Sequence, residues 1–436
     1  MNNPLKKIVE AQKSGRKTGI WSCCSANPYV IRAALLRGLK DHSCVLIEST
    51  ANQCDQYGGY TGMTPEMFRT FVEKTADEVG FDRGRLFLGG DHLGPLTFAD
   101  KPEAEAMKEA EELVRCYVAA GFSKIHLDTS MRLADDDRET RLSDEVIAQR
   151  GVRLAWAAEE TYQNIVKKKN PDAPEPVYVI GSEVPIPGGE QAGSGSALQV
   201  TRPEDFRKTM RTFEQAFRSA GLDHAWQNVI AAVVQPGVEE KDSGCVEYDR
   251  AKAAALCASL KEFDNIVFEG HSTDYQTKIH LREMVEDGIA ILKVGPGLTF
   301  AMREALYALA YAEKELYGFR ESHFIDILDE AMQNDPKYWK NHYIGTEKEL
   351  LLRRKFSFSD RSRYYMPDQD VQKARNILLD HLKDGVPLNL LSQFMPVQYE
   401  RVREGILTNR PADLIMDHIG DTIDAYLYAT HQNELF

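Results

Sequence analysis

Positive charge is what this 436-residue chain most lacks. Its 53 Lys and Arg residues stand against 67 Asp and Glu, a formal net charge of −14. That balance argues against a nucleic-acid partner, because holding a phosphate backbone needs a basic face. A small phosphorylated ligand is still allowed, since it needs only a few Arg, Lys or backbone N–H groups. No run reaches the ~20 apolar residues a membrane-crossing helix requires. The opening stretch MNNPLKKIVEAQKSGRKTG has no apolar signal core. Cysteine is sparse and scattered, at Cys23, Cys24, Cys44, Cys54, Cys116, Cys245 and Cys257, with no C-x-x-C spacing. This is the pattern of reduced thiols in a cytoplasmic protein. No internal repeat is visible.

Hydrophobic residues make up 43% of the chain, enough for a large core, and the 28% of charged residues fits a folded globular protein rather than a disordered one. Short apolar, β-branched runs alternate with amphipathic stretches. Eight strands are expected, at Gly19–Cys24, Cys44–Ser49, Arg85–Gly90, Lys124–Asp128, Val177–Glu183, Val229–Gln235, Asn265–Gly270 and Ile289–Val294. Their near-continuous hydrophobicity suits parallel strands covered on both faces. Helical patterns between them, such as Pro102–Ala120 and Pro203–Ala220, give eight strand–helix alternations by about residue 310. The expected fold class is α/β, a (β/α)8 TIM barrel over residues 1–310, with an added C-terminal helical region over 311–436 packed on it. An open doubly wound sheet is the alternative.

Each expected strand starts apolar and ends polar, and the C-terminal strand ends are where a (β/α)8 barrel carries its site. Strand three closes on GGDHLGP, with Asp91 and His92 side by side between glycines. Strand seven closes on FEGHSTD, with His271. Strand five leads into GSEVPIPGG, with Glu183, and then into a glycine-rich loop, Pro185–Ser196, placed where a lid would lie. Strand four carries His126 and Asp128 on one face. Asp128 points to the mouth, and His126 reads better as a hydrogen-bonded core residue. Strand six ends at Gln235. Two histidines with carboxylate or amide oxygens make a first shell for a divalent ion. The turn Lys293-Val294-Gly295 leads into a helix whose N-terminus suits a phosphate. Arg361, Arg363 and Tyr364 form a second anion clamp if they reach the mouth; a solvated charged face is the competing reading.

The motifs LIEST-NQ-DQ-GGYTGMTP, GGDHLGP, IHLD-SM, EVPIPGG, VQPGVE, FE-HSTDYQT, LKVGP-LTFA-REAL and SDR-RYY-PD resemble the tagatose-bisphosphate aldolase non-catalytic subunit family, from about Gly19 into the C-terminal region. That family is related to the metal-dependent class II aldolases, and some members are implicated as ketose or ketose-phosphate 4-epimerases. The resemblance implies a divalent metal (Zn, Mn, Ni or Co) held by His92, His271, Glu183 and Gln235. It implies acid–base roles for Asp91, Glu183 and Asp128. Substrate or phosphate contacts are expected from Ser272, Asp274, Lys293, Gly295, Arg303, Arg361, Arg363 and Tyr364. Gln235 stands where the aldolases carry a further metal histidine, and a neutral amide is the weaker donor. The favoured expectation is therefore a metal-dependent ketohexose or ketohexose 6-phosphate 4-epimerase, breaking and remaking C3–C4 by retro-aldol chemistry. The alternative is a non-catalytic subunit that stabilises a separate tagatose-1,6-bisphosphate aldolase chain. Expected partners are a small ketose or ketose phosphate, an aldolase catalytic subunit and, compatibly, further copies of the chain.

Overall fold

Eight parallel strands close on themselves in the computed structural model, which describes residues 3–181 and 198–436. They are β1 (Ile20–Cys24), β2 (Val45–Thr50), β3 (Leu86–Leu93), β4 (Lys124–Leu127), β5 (Val177–Ile180), β6 (Val229–Val234), β7 (Val267–Gly270) and β8 (Ile289–Val294). Each pairs with its sequence neighbours, and β1 pairs with β8 to complete the barrel. All eight expected strands are present, with ends shifted by at most three residues. The alternative of an open doubly wound sheet is excluded by the β1–β8 pairing, with Ile20 opposite Ile291 and Cys23 opposite Val294.

Helices α1 (Pro28–Asp41), α2 (Pro65–Val79), α3 (Glu103–Ala119), α4 (Asp144–Thr161), α5 (Pro203–Ser219), α6 (Arg250–Ser259), α7 (Lys278–Glu286) and α8 (Pro296–Tyr317) follow the strands. Their starts are written locally. Thr64, Ser143 and Thr277 each cap a helix by accepting the N–H three residues on, which satisfies a donor the helix itself cannot. A short helix, Lys6–Lys13, sits under the barrel. Leu5 and Ile8 join Leu46, Phe87, Val177, Val267 and Ile291 in a buried cluster that seals the end away from the site.

The boundary expected at residue 310 falls inside α8, one continuous helix to Tyr317. The last helix, Pro411–Thr430, packs against α7, α1 and α8. It is tied in by the Gly19 N–H donating to Thr430 O at 2.8 Å and the Tyr426 hydroxyl donating to Thr273 O at 2.9 Å. It therefore stands in the ring of helices around the barrel, between the seventh and the first. No helix among the described residues is long and apolar enough to cross a membrane.

Candidate metal centre and cavity

The barrel interior is apolar below and charged above. Inward positions alternate along each strand, so Lys124 and His126 of β4 share the lumen with Glu48 of β2, Asp91 of β3, Glu269 of β7 and Lys293 of β8. Glu48, Lys124 and Glu269 are each 0% exposed. The Lys124 ammonium lies 2.6 Å from Glu48 Oε1 and 2.8 Å from Glu269 Oε2. These contacts are off hydrogen-bond angles, so the hold is chiefly Coulombic. Gly89 makes room for this: a Cβ there would come within 2.6 Å of Glu48 Oε1. Lys293 pairs with Glu48 and, at 2.7 Å, with Asp91 Oδ2. Burial would lower both lysines, but the surrounding carboxylates outweigh it and raise them, so both stay charged.

Above this layer three imidazoles face one another. Ring centroids are 5.0 Å apart for His92–His126, 4.9 Å for His92–His271 and 5.3 Å for His126–His271. Each ring has one nitrogen on a carboxylate. His92 Nδ1 is 2.7 Å from Asp128 Oδ2, His126 Nδ1 is 2.8 Å from Asp91 Oδ1, and His271 Nε2 is 3.0 Å from Glu269 Oε1. That is the arrangement by which outer carboxylates fix a ligating histidine's tautomer and aim its other nitrogen. His126 Nε2 is buried without a hydrogen-bond partner among the described residues. His92 is held at φ 49°, a left-handed backbone that costs about 1 kcal/mol or more and is kept where the surroundings enforce it.

Asp91, His92, His126 and His271 each offer a donor atom, all within 4.8 Å of one another, so this buried group is able to hold a metal ion. The electrostatics agree. Four buried carboxylates (Glu48, Asp91, Asp128, Glu269) outnumber two ammoniums (Lys124, Lys293), an excess of negative charge that favours a cation; burial would lower His92, but Asp91 and Asp128 outweigh it and raise that ring. Burial lowers His271 to about 4, only partly offset by Glu269, which keeps that ring neutral. Burial would raise the Asp91 carboxyl, but His92, Lys293 and the His126 hydrogen bond hold it well below the usual range. Burial would likewise raise Asp128, and its bond to His92 and the His92 charge bring it down to about 2.

Several expected site residues lie elsewhere or are otherwise engaged. Gln235 is engaged in its own turn: its amide oxygen accepts the N–H groups of Gly237 and Val238, at 2.8 and 3.0 Å, after β6. Lys293 lines the mouth, but its charge is spent on Glu48 and Asp91. The Gly295 N–H is taken by Asp274, so the expected phosphate cradle is filled. Arg303 is buried on Asp360 at 3.0 Å, and Arg361 reaches His342 Nδ1 at 2.9 Å; neither lines the cavity. Glu183 and the loop Pro185–Ser196 lie outside the described residues.

A cavity of about 370 Å³ opens over the centre, lined by Asp91, His92 and His271 and by Ser272, Asp274, Arg363 and Tyr364 among the expected residues. Glu240 and Arg375 also line it and were missed. Nothing in their local sequence marks them; they arrive from a short hairpin (Glu239–Glu240 with Cys245–Val246) and from the helix Gln369–His381. Burial and Asp274 push Glu240 up to about 7, and burial pushes Asp274 up to about 6. His126, expected as a hydrogen-bonded core residue, is buried and bonded to Asp91, and it also stands in the group of four donors.

Fold and site together define a (β/α)8-barrel protein with a carboxylate-backed three-histidine centre under an open polar cavity. Comparison with known proteins places it further. The family model for D-tagatose-1,6-bisphosphate aldolase subunit GatZ/KbaZ-like proteins matches residues 5–431. The D-tagatose-1,6-bisphosphate aldolase subunit GatZ of Salmonella newport is 48% identical over 97% of this chain and 98% of its own, and that of Salmonella paratyphi B is 49% identical over the same shares. A crystal structure described as a probable tagatose 6 phosphate kinase from Sinorhizobium meliloti 1021 is 44% identical, with a TM-score of 0.85 over 94% of this chain and 100% of that one. The chain belongs to the GatZ/KbaZ-like family of D-tagatose-1,6-bisphosphate aldolase subunits. The expectation of a ketohexose 4-epimerase, an isomerase, is thereby corrected: the relatives matched end to end are named as an aldolase subunit.

Proposed function

We propose that this chain serves as a non-catalytic subunit of a tagatose-1,6-bisphosphate aldolase, binding a separate catalytic chain and stabilising it. The observation that carries this is the end-to-end match, at 48% identity, to relatives bearing that subunit's name. The site's electrostatics support it. Asp91, the expected base, is committed to His126 and Lys293 and is held well below the range of a working base at neutral pH. The metal reading is part of the proposal: Zn, Mn, Ni or Co, held by His92, His126, His271 and one Asp91 oxygen. Such an ion would supply Lewis acidity and would balance the lumen's charge. The chain's own carboxylates, Asp128, Asp91 and Glu269, each take one ring nitrogen and so orient the three rings.

The test is to purify this chain, a catalytic tagatose-bisphosphate aldolase chain and their mixture. The expected result is no cleavage of tagatose 1,6-bisphosphate by this chain alone, and a catalytic chain that is more active or melts higher in the mixture. Cleavage by this chain alone, or a mixture indistinguishable from its separate parts in rate and melting, would falsify the proposal.

A further inference from the structure

A second group of ligand atoms lies beside the three histidines. Cys24 Sγ, at the end of β1, is 3.7 Å from Glu48 Oε2 of β2 and 3.7 Å from Asp91 Oδ2 of β3. The three residues each offer one donor atom, all within 4.8 Å of one another. A tetrahedral zinc ion that holds a sulfur at about 2.3 Å and an oxygen at about 2.0 Å sets those two atoms about 3.5 Å apart. The thiol stands close to that distance from both carboxylate oxygens. Cys24 and Asp91 also line the cavity, which gives an ion a way in and leaves room for water as a further ligand.

A cation already fills this place. The Lys293 ammonium, coming from β8, pairs with the same Glu48 oxygen and, at 2.7 Å, with the same Asp91 oxygen. Both carboxylates are buried, so the place cannot be left without positive charge at low cost. Burial holds the Cys24 thiol well above its ordinary value, so beside the ammonium it stays neutral. The charges of the two possible occupants match. An ammonium with a neutral thiol carries one positive charge. A divalent ion on the thiolate carries the same, because the sulfur–metal bond forms as the thiol gives up its proton to water.

We propose that Cys24, Glu48 and Asp91 form a second, thiol-containing metal site, which Lys293 keeps closed with its own ammonium. Lys293 is a tethered cation that limits the lumen to an ion on the histidine group. The mixed sulfur and carboxylate donors select a thiophilic divalent ion, zinc or cadmium. This goes beyond the aldolase-subunit reading. It does not need the histidine group to be filled, because what is counted is the difference between variant and parent.

The test strips the full chain and its Lys293→Ala variant of metal and titrates each with Cd²⁺. Bound ion is counted by elemental analysis, and the thiolate-to-cadmium absorption band is followed in the ultraviolet. The variant is expected to hold one more ion per chain than the parent and to show a band that the parent lacks. Adding Cys24→Ser to the variant should remove both, which separates this thiol from Cys116 and Cys245. Zn²⁺ should give the same extra ion, with release of a proton. Because Lys293→Ala leaves Glu48 and Asp91 short of a cation, a variant that unfolds when stripped is refolded from urea in Cd²⁺, where the ion is expected to replace the ammonium. Equal ion counts in parent and variant, a thiolate band already present in the parent, or a band that survives Cys24→Ser overturns the proposal. So does a variant that folds neither without the ion nor with it.

Discussion

Replacing Lys124 with methionine removes a cation that lies between two carboxylates in the barrel core. Methionine keeps most of the side chain's length, so the change is one of charge rather than volume. Lys124 sits 2.6 Å from Glu48 and 2.8 Å from Glu269, and all three are fully buried. Glu48 retains Lys293 as its ion-pair partner, while Glu269 keeps its hydrogen bond to His271 and the more distant charge of Lys293. Removing one member of a buried pair leaves an uncompensated charge and costs about 3–5 kcal/mol. That is a large part of a typical folding free energy of about 5–15 kcal/mol. Urea denaturation at pH 7, read by the shift in midpoint at constant slope, measures it. The sign of the pH effect is a second check. In the parent, Glu269 is held well below its ordinary value, against burial, first of all by Lys124. In Lys124→Met the same carboxyl must titrate upward, so the deficit should shrink as pH falls toward 4.5, where protonation removes the stranded charge. Pairing the change with Glu269→Gln should recover at least about 1 kcal/mol relative to additivity. A loss below about 1 kcal/mol at pH 7, or strict additivity in the cycle, would refute the view of this triad as a mutually dependent charge cluster.

Adding Mn²⁺, Zn²⁺ or Ni²⁺ to chelator-stripped protein should raise its melting temperature, by the equivalent of about 2.7 kcal/mol at a hundredfold excess over Kd. His92→Ala and His271→Ala should abolish that response, and so should His126→Ala, which separates a ligand from a core histidine. Gln235→Ala should cost about 1–3 kcal/mol through the two unsatisfied turn N–H groups while leaving the metal-induced shift intact; loss of the shift would return Gln235 to the metal group. Glu240 and Asp274 are raised from 4.5 to about 7 and from 3.8 to about 6. The folded state therefore holds more protons than the unfolded one between pH 4 and 7, and stability should fall as pH rises through that window. Glu240→Gln should flatten the slope by on the order of 3 kcal/mol, seen as urea midpoints measured at pH 4.5 and 8; an unchanged slope would show that the pair is not buried together.

Much of the site was legible locally. Asp91, His92 and His271 each stand at the polar end of an apolar strand, and closure of the barrel brings their two separated motifs into one cluster. Lys124, Glu48 and Glu269 were not read as a group, because an isolated charge inside an apolar strand carries no sign of its partner. Lys293 and Gly295 looked like a phosphate cradle because the turn before α8 has the right backbone; only the folded chain brings Asp274 onto it. Gln235 looked like a ligand because it ends strand six, where the related aldolases carry a metal histidine; in the folded chain its amide oxygen closes its own turn.

The sequence by itself determined the eight strands, their parallel barrel and the end at which polar residues gather, since hydrophobic alternation and helix caps act over a few residues. Tertiary structure alone decided which polar groups are spent on one another and which remain for a ligand. Charge compensation in a buried lumen depends on distances of about 3 Å between residues up to 245 positions apart, and no local pattern encodes those. It also decided that the final helix belongs to the wall of the barrel, where burying its apolar face between α7 and α1 completes the ring.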